Sequence, residues 1–136
     1  MSASGADPRH AAMLDTDTCI YAINRRPNLT LRTPLHRCCV SSVVRGELEY
    51  GLLNSERRPT TRANLERFLG SLSIRDVTET VAVAYAHIRF ALRAQPIGPT
   101  DLWIAAHAIA LDLPLVTNNT REFARVPDLR VENWLG

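Results

Sequence analysis

The sequence predicts a three-layer α/β/α fold built on a short central parallel sheet. Short β-prone runs alternate with longer segments whose apolar residues recur at helical spacing, the pattern of a sheet covered by helices on both faces. At 136 residues the chain fits one ordinary domain, able to bury about two-thirds of the surface its unfolded form exposes, so a single core is expected. Acidic residues fall where predicted strands end, which puts an acidic site at the carboxyl edge of the sheet, where open α/β folds place their chemistry.

Taken in order, residues 1–12 are rich in Ser, Ala and Gly and lack the apolar centre of a secretory signal, so they read as a flexible leader before a domain spanning 13–136. Met13 to Asp15 reads as a strand, and Thr16 to Arg25 as a helix that must stop before Pro27. Cys39 to Ser41 is a second strand, after which Ser42 can cap a helix through Val44, Glu47, Leu48 and Leu52 to about Asn54. Pro59 to Leu72 places Leu65, Phe68, Leu69 and Leu72 on one helical face. Ile74 to Val77 is strand-like, and Thr78 caps a long helix carrying Val81, Tyr85, Ile88 and Leu92. Gln95 to Pro99 breaks it. Thr100 is the expected cap of the next helix, whose nearly unrelieved apolar run from Leu102 to Leu111 implies burial on most sides. Leu115 to Thr117 is a strand, and Leu129 to Val131 a last edge strand.

Composition narrows the chemistry. All 16 basic residues are arginine, which excludes any lysine-dependent reaction, and the net charge of +2 is too small to establish nucleic-acid binding. Three cysteines, two of them adjacent at Cys38 and Cys39, suggest buried thiols rather than disulfides and a cytoplasmic protein. No apolar stretch reaches the ~20 residues of a membrane span.

Asp15 closes the first strand, Glu47 lies one turn into the helix after the second, Asp101 opens a helix, and Asn118-Asn119 follows the Leu-Val-Thr strand. Three carboxylates within ~4 Å of one another repel by several kcal/mol per pair at an effective dielectric near 20, so such a cluster needs a divalent cation. All-oxygen donors favour Mg²⁺ or Mn²⁺ over zinc, and a cation there polarises a phosphate and lowers the pKa of an attacking water.

The segments Met-Leu-Asp-Thr-Asp-Thr-Cys-Ile-Tyr (13–21), Ser-Ser-Val-Val-Arg-Gly-Glu-Leu-Glu-Tyr-Gly (41–51), Ile-Gly-Pro-Thr-Asp-Leu-Trp-Ile-Ala-Ala-His-Ala (97–108) and Leu-Val-Thr-Asn-Asn-Thr-Arg-Glu-Phe (115–123), in this order, resemble a PIN-domain ribonuclease of the VapC toxin type. The resemblance covers nearly the whole chain from Met13. It implies a PIN-like fold, an Mg²⁺-dependent endoribonuclease acting on RNA as the toxin of a bacterial toxin-antitoxin pair, and inhibition of translation and growth. It further implies Asp15 and Asp101 as principal metal ligands with Glu47 completing the cluster, a small cognate VapB-like antitoxin, and a homodimer. The fourth acidic position of many PIN domains matches Asn119, with Glu122 nearby as the other candidate for that corner.

Two alternatives compete. Asp15 and Asp17 also match the nucleophile motif Asp-x-Asp-x-Thr of haloacid-dehalogenase-like phosphatases, but Cys19 stands where its threonine belongs, Asn118-Asn119 replaces the late acidic pair, and there is no lysine to hold a phospho-aspartate. A non-catalytic PIN-like binding module is the other, against which the joint presence of Asp15, Glu47 and Asp101 speaks. Among neighbours, Asp17 reads as a helix cap, Glu49 as a solvated acid, and His107 as a satisfied core or interface histidine about 9 Å along the helix from Asp101. Thr16 and Thr117 serve either the acidic cluster or local backbone bonds. Arg25 with Arg26, and Arg57 with Arg58 and Arg62, are candidate phosphate-binding rims, Arg62 and Glu66 being equally an ordinary (i, i+4) pair.

Overall fold

The computed structural model describes residues 9–136, so the expected leader falls mostly outside the described residues. Five strands form one fully parallel sheet: β1 (Ala12–Leu14), β2 (Cys38–Ser41), β3 (Ser73–Arg75), β4 (Leu115–Val116) and β5 (Val131–Glu132), in the order β3-β2-β1-β4-β5. The helices are α1 (Thr16–Ile23), α2 (Ser42–Leu53), α3 (Arg58–Leu69), α4 (Glu79–Ala91), α5 (Pro99–Ala110) and the short α6 (Thr120–Phe123). From β1 the chain steps through β2 to β3 by way of α1, α2 and α3, then returns past β1 to β4 by way of α4 and α5. Connections running in opposite directions from β1 let the two helix sets cover the two faces of the sheet, the predicted three layers, while α2 and α5 also touch each other directly.

β1 and β2 are buried at every position, because a central parallel strand has helices over both its faces. Met13, Leu14, Val40, Leu115 and Val116 form the middle of the core, against which Val44, Ile104 and Phe123 pack. The run from Leu102 to Ala108 is buried almost throughout, as its composition requires.

Several boundaries differ from the sequence reading. Ser41 caps α2, its Oγ accepting the Val43 N–H at 3.1 Å, while the Ser42 hydroxyl accepts the Val77 N–H instead. Thr100 does not cap α5: Gly98 stands at the N-cap with no side-chain bond, and Pro99 takes the first helical position, where its missing N–H costs nothing. α3 stops at Leu69 with Gly70 at its C-cap, and the last strand shifts to Val131–Glu132 to pair with β4. Leu35–Arg37 forms a 3₁₀ turn and α6 a single helical turn, both too short for periodicity to reveal. Arg25, just past the end of α1, holds φ 51, a left-handed position usually given to glycine.

Candidate active site

The strand order reverses between β1 and β4, and at such a switch point the two crossovers part and leave a crevice beyond the strand ends. Asp15 follows β1 and Thr117 follows β4, so both stand at this crevice. Asp15 is only 4 % exposed and caps α1, its Oδ1 accepting the Thr18 N–H at 2.9 Å. Thr18 is tied across the sheet in turn, its Oγ1 donating to the Val116 carbonyl at 3.1 Å. Burial pushes the Asp15 carboxyl above its ordinary range, hydrogen bonds from Thr117 and Thr18 pull it part of the way back, and Asp17 pushes it up again. Thr117 also accepts the Asn119 N–H at 2.9 Å, so one buried hydroxyl serves both the cluster and the local backbone.

Asp101 reaches the same crevice from the first turn of α5. Burial raises its pKa first, followed by the negative charges of Asp15, Glu122, Asp17 and Glu47. Four acids from three further elements therefore act on one carboxylate. Glu47, on α2, is exposed and lies on the rim of a groove of about 270 Å³ that runs between α1, α2 and α3 over Ile20, Leu48, Leu52 and Leu65. Asn119 sits exposed at the head of α6, and one turn on Glu122 acts on Asp101 while its own carboxylate stands 3.8 Å from Arg125.

The donor set suits a hard divalent cation, being entirely oxygen. Thr16 Oγ1, beside Asp15 in sequence, is the one buried side-chain oxygen or nitrogen among the described residues with no hydrogen-bond partner in the protein, as expected for a hydroxyl that meets a bound water or ion. The acids influence one another at a distance, and among the described residues no three side chains of His, Cys, Asp or Glu are already drawn together as a ligand set.

Other sequence expectations are redistributed. Asp17 is exposed in the first turn of α1 and does not cap it, because Asp15 occupies that role and Asp17 contributes only its charge. Glu49 is not a free surface acid: it meets Arg45 at 3.1 Å and Arg62 at 2.8 Å, which tethers α3 to α2. Arg62 also meets Glu66 at 2.9 Å, so its guanidinium is engaged within the fold. Arg25 and Arg26 lie past the far end of α1, some 12 Å of helix from Asp15, and do not border the acidic site. His107 is a satisfied core residue, 1 % exposed, with Nδ1 2.8 Å from Ser41 Oγ.

A family model described as the PIN domain matches residues 12–129. The chain belongs to the PIN-domain family. Among curated proteins, this PIN domain is 41% identical over 129 residues to ribonuclease VapC2 of Rickettsia felis, covering 90% of this chain and 96% of that one. It is 39% identical over 127 residues to the tRNA(fMet)-specific endonuclease VapC of Salmonella typhimurium, again covering 90% and 96%. Among solved structures it is similar to DNA-bound VapBC from Salmonella typhimurium, with a TM-score of 0.83 and 36% identity over 92% of this chain and 98% of that one. The PIN domain is thus of the VapC type, as its motifs imply, and the phosphatase alternative falls away. Glu122, the other candidate for the Asn119 corner, is signalled in the sequence only as an acid three residues beyond Asn119, and the turn of α6 carries its charge within range of Asp101.

Proposed function

We propose that this PIN domain is an Mg²⁺-dependent endoribonuclease acting as the toxin of a VapBC pair, hydrolysing RNA phosphodiesters and thereby arresting translation and growth. The observation that carries the reading is Asp101, a half-buried carboxylate facing four other acids at the carboxyl edge of the sheet. A fold gains nothing from such a concentration of like charge unless a cation is bound there.

Asp15, Asp101 and Glu47 would hold the cation, and Asn119 with Glu122 would border it. When bound, Mg²⁺ or Mn²⁺ supplies a Lewis acid for the phosphate and a more acidic water. The protein orients the donors: the Thr18 N–H and the Thr117 hydroxyl fix the Asp15 carboxylate, and burial of Asp15 excludes bulk water from one side of it. Neutralising the acids also lets a polyanionic substrate approach. The relative named for tRNA(fMet) makes tRNA the first substrate to assay, and the VapBC structure supports a VapB-like antitoxin that would cover the site and bind DNA with it. A homodimer working in the cytoplasm belongs to the same reading, and among the described residues no helix is long and apolar enough to cross a membrane.

The test is cleavage of a tRNA pool with and without Mg²⁺, with end sequencing of the products. Asp15→Ala and Asp101→Ala should abolish cleavage and growth arrest while circular dichroism stays unchanged, and EDTA should silence the wild type. Full cleavage by either folded variant would overturn the assignment of these ligands, and no cleavage by the wild type with Mg²⁺ would favour the non-catalytic module. Glu47→Gln should bind the cation more weakly and cleave more slowly, and an unchanged Mg²⁺ titration would remove Glu47 from the site.

A further inference from the structure

We propose that the buried hydrogen bond between Ser41 and His107 sets the position of Glu47 relative to Asp101, making Ser41 and His107 positioning residues for the acidic site. The inference rests on the reading of that site as a cation site.

Ser41 ends β2 and caps α2, the helix that carries Glu47 six residues on; His107 lies on α5 about 9 Å along the axis from Asp101. The 2.8 Å contact between Ser41 Oγ and His107 Nδ1 therefore joins the start of one acid-bearing helix to the last turn of the other. Both side chains are sealed from solvent, at 0 % and 1 % exposure. The hydroxyl can give its hydrogen to Nδ1 while its lone pair takes the Val43 N–H, so one atom satisfies the imidazole and the helix end together.

The neighbours of His107 make the arrangement informative. Ile104, Ala105, Ala106 and Ala108 are all buried and apolar, and a polar ring among them costs free energy unless its hydrogen bond is used. Burial, helped by the positive charge of Arg75, holds the imidazole down to about 4, so it is neutral at ordinary pH and adds no charge beside the site; Asp76 pulls the other way. Meanwhile the acids on α1, α2, α5 and α6 repel one another, a force that tends to spread α2 from α5. A directional bond across that seam resists the spreading, and an apolar contact of equal volume would not fix the angle or the height of one helix on the other.

The test measures Mn²⁺ binding calorimetrically on the full chain without RNA, at a temperature where circular dichroism shows every variant folded. His107→Leu keeps volume and removes the bond, Ser41→Ala removes it from the other side, and His107→Asn keeps a polar atom near Nδ1. Ile104→Val destabilises the same helix without touching Ser41. His107→Leu and Ser41→Ala should each weaken Mn²⁺ binding by about 3- to 10-fold, less than losing a partner that touches a ligand directly, and the double variant should be no worse than the weaker single. His107→Asn and Ile104→Val should stay within about two-fold of wild type. Wild-type affinity in both bond-breaking variants, or an equal loss in Ile104→Val, would overturn the inference and leave the cation site standing. No Mn²⁺ binding by the wild type would overturn the cation reading and this inference with it.

Discussion

Acidification should destabilise this protein through His107 by an amount that its burial allows to be worked out. The imidazole has an ordinary value of 6.5 and is held at about 4 in the folded chain, chiefly by burial. Between those values the unfolded chain binds a proton that the folded chain refuses, so stability is intact above about pH 6.5 and is lost as pH falls toward 4. At about 1.4 kcal/mol per pH unit, the full loss is roughly 3 kcal/mol, reached below about pH 4, and about 2 kcal/mol is gone by pH 5. The assay is urea unfolding of the wild type and His107→Asn at about pH 7.5 and pH 5. Asp15 and Asp101, whose raised values make the folded state hold protons more tightly, act in the opposite direction in both proteins and cancel from the comparison. The stability difference between the two proteins should move by about 2 kcal/mol in favour of the asparagine variant on going to pH 5. Parallel pH profiles would show that His107 takes its proton in the folded state as readily as in the unfolded one, and would refute the reasoning.

Asp101→Asn should raise the melting temperature of the metal-free protein at neutral pH, since it removes a half-buried charge that four acids disfavour, while abolishing Mg²⁺-stimulated cleavage; a fall in melting temperature without metal would contradict that electrostatic account. Gly51→Ala should stabilise the fold by about 0.5–1 kcal/mol in chemical denaturation, because position 51 lies inside α2 and an added Cβ meets nothing within 4 Å; destabilisation would show a contact that the structure lacks. Arg25→Gly should also stabilise, by about 1 kcal/mol, by releasing the left-handed strain at φ 51 after α1, and an unchanged unfolding midpoint would mean that the strain is negligible.

Much of the fold was written locally. The apolar spacing of Leu65, Phe68 and Leu69 and of Val81 and Ile88 marks α3 and α4 because a helix returns a face to the core every three or four residues. Thr78 caps α4 as its chemistry requires. Where two adjacent residues could do the same work, local chemistry did not decide. Ser41 and Ser42 are equivalent caps in sequence, and the choice went to Ser41 because the pairing of β2 with β3 ends there, at Arg75, leaving Ser41 the last extended residue before the helix. Thr100 lost the cap of α5 because Pro99, with its fixed φ and missing N–H, already fits the first turn.

By itself, the sequence determined the order and type of the main elements, the burial of α5, the lack of lysine chemistry, and the placing of Asp15, Glu47 and Asp101 near element ends. Those properties reside in windows of a few residues, within which periodicity and capping operate. Only the tertiary structure decided that Thr18 binds Val116 across 98 positions, that Ser41 meets His107 across 66, that Glu49 is claimed by Arg62, and that Glu122 adds its charge to Asp101. Each of these depends on which strands are neighbours and how the helices over them are rotated, and that is set by the packing of the whole core at once.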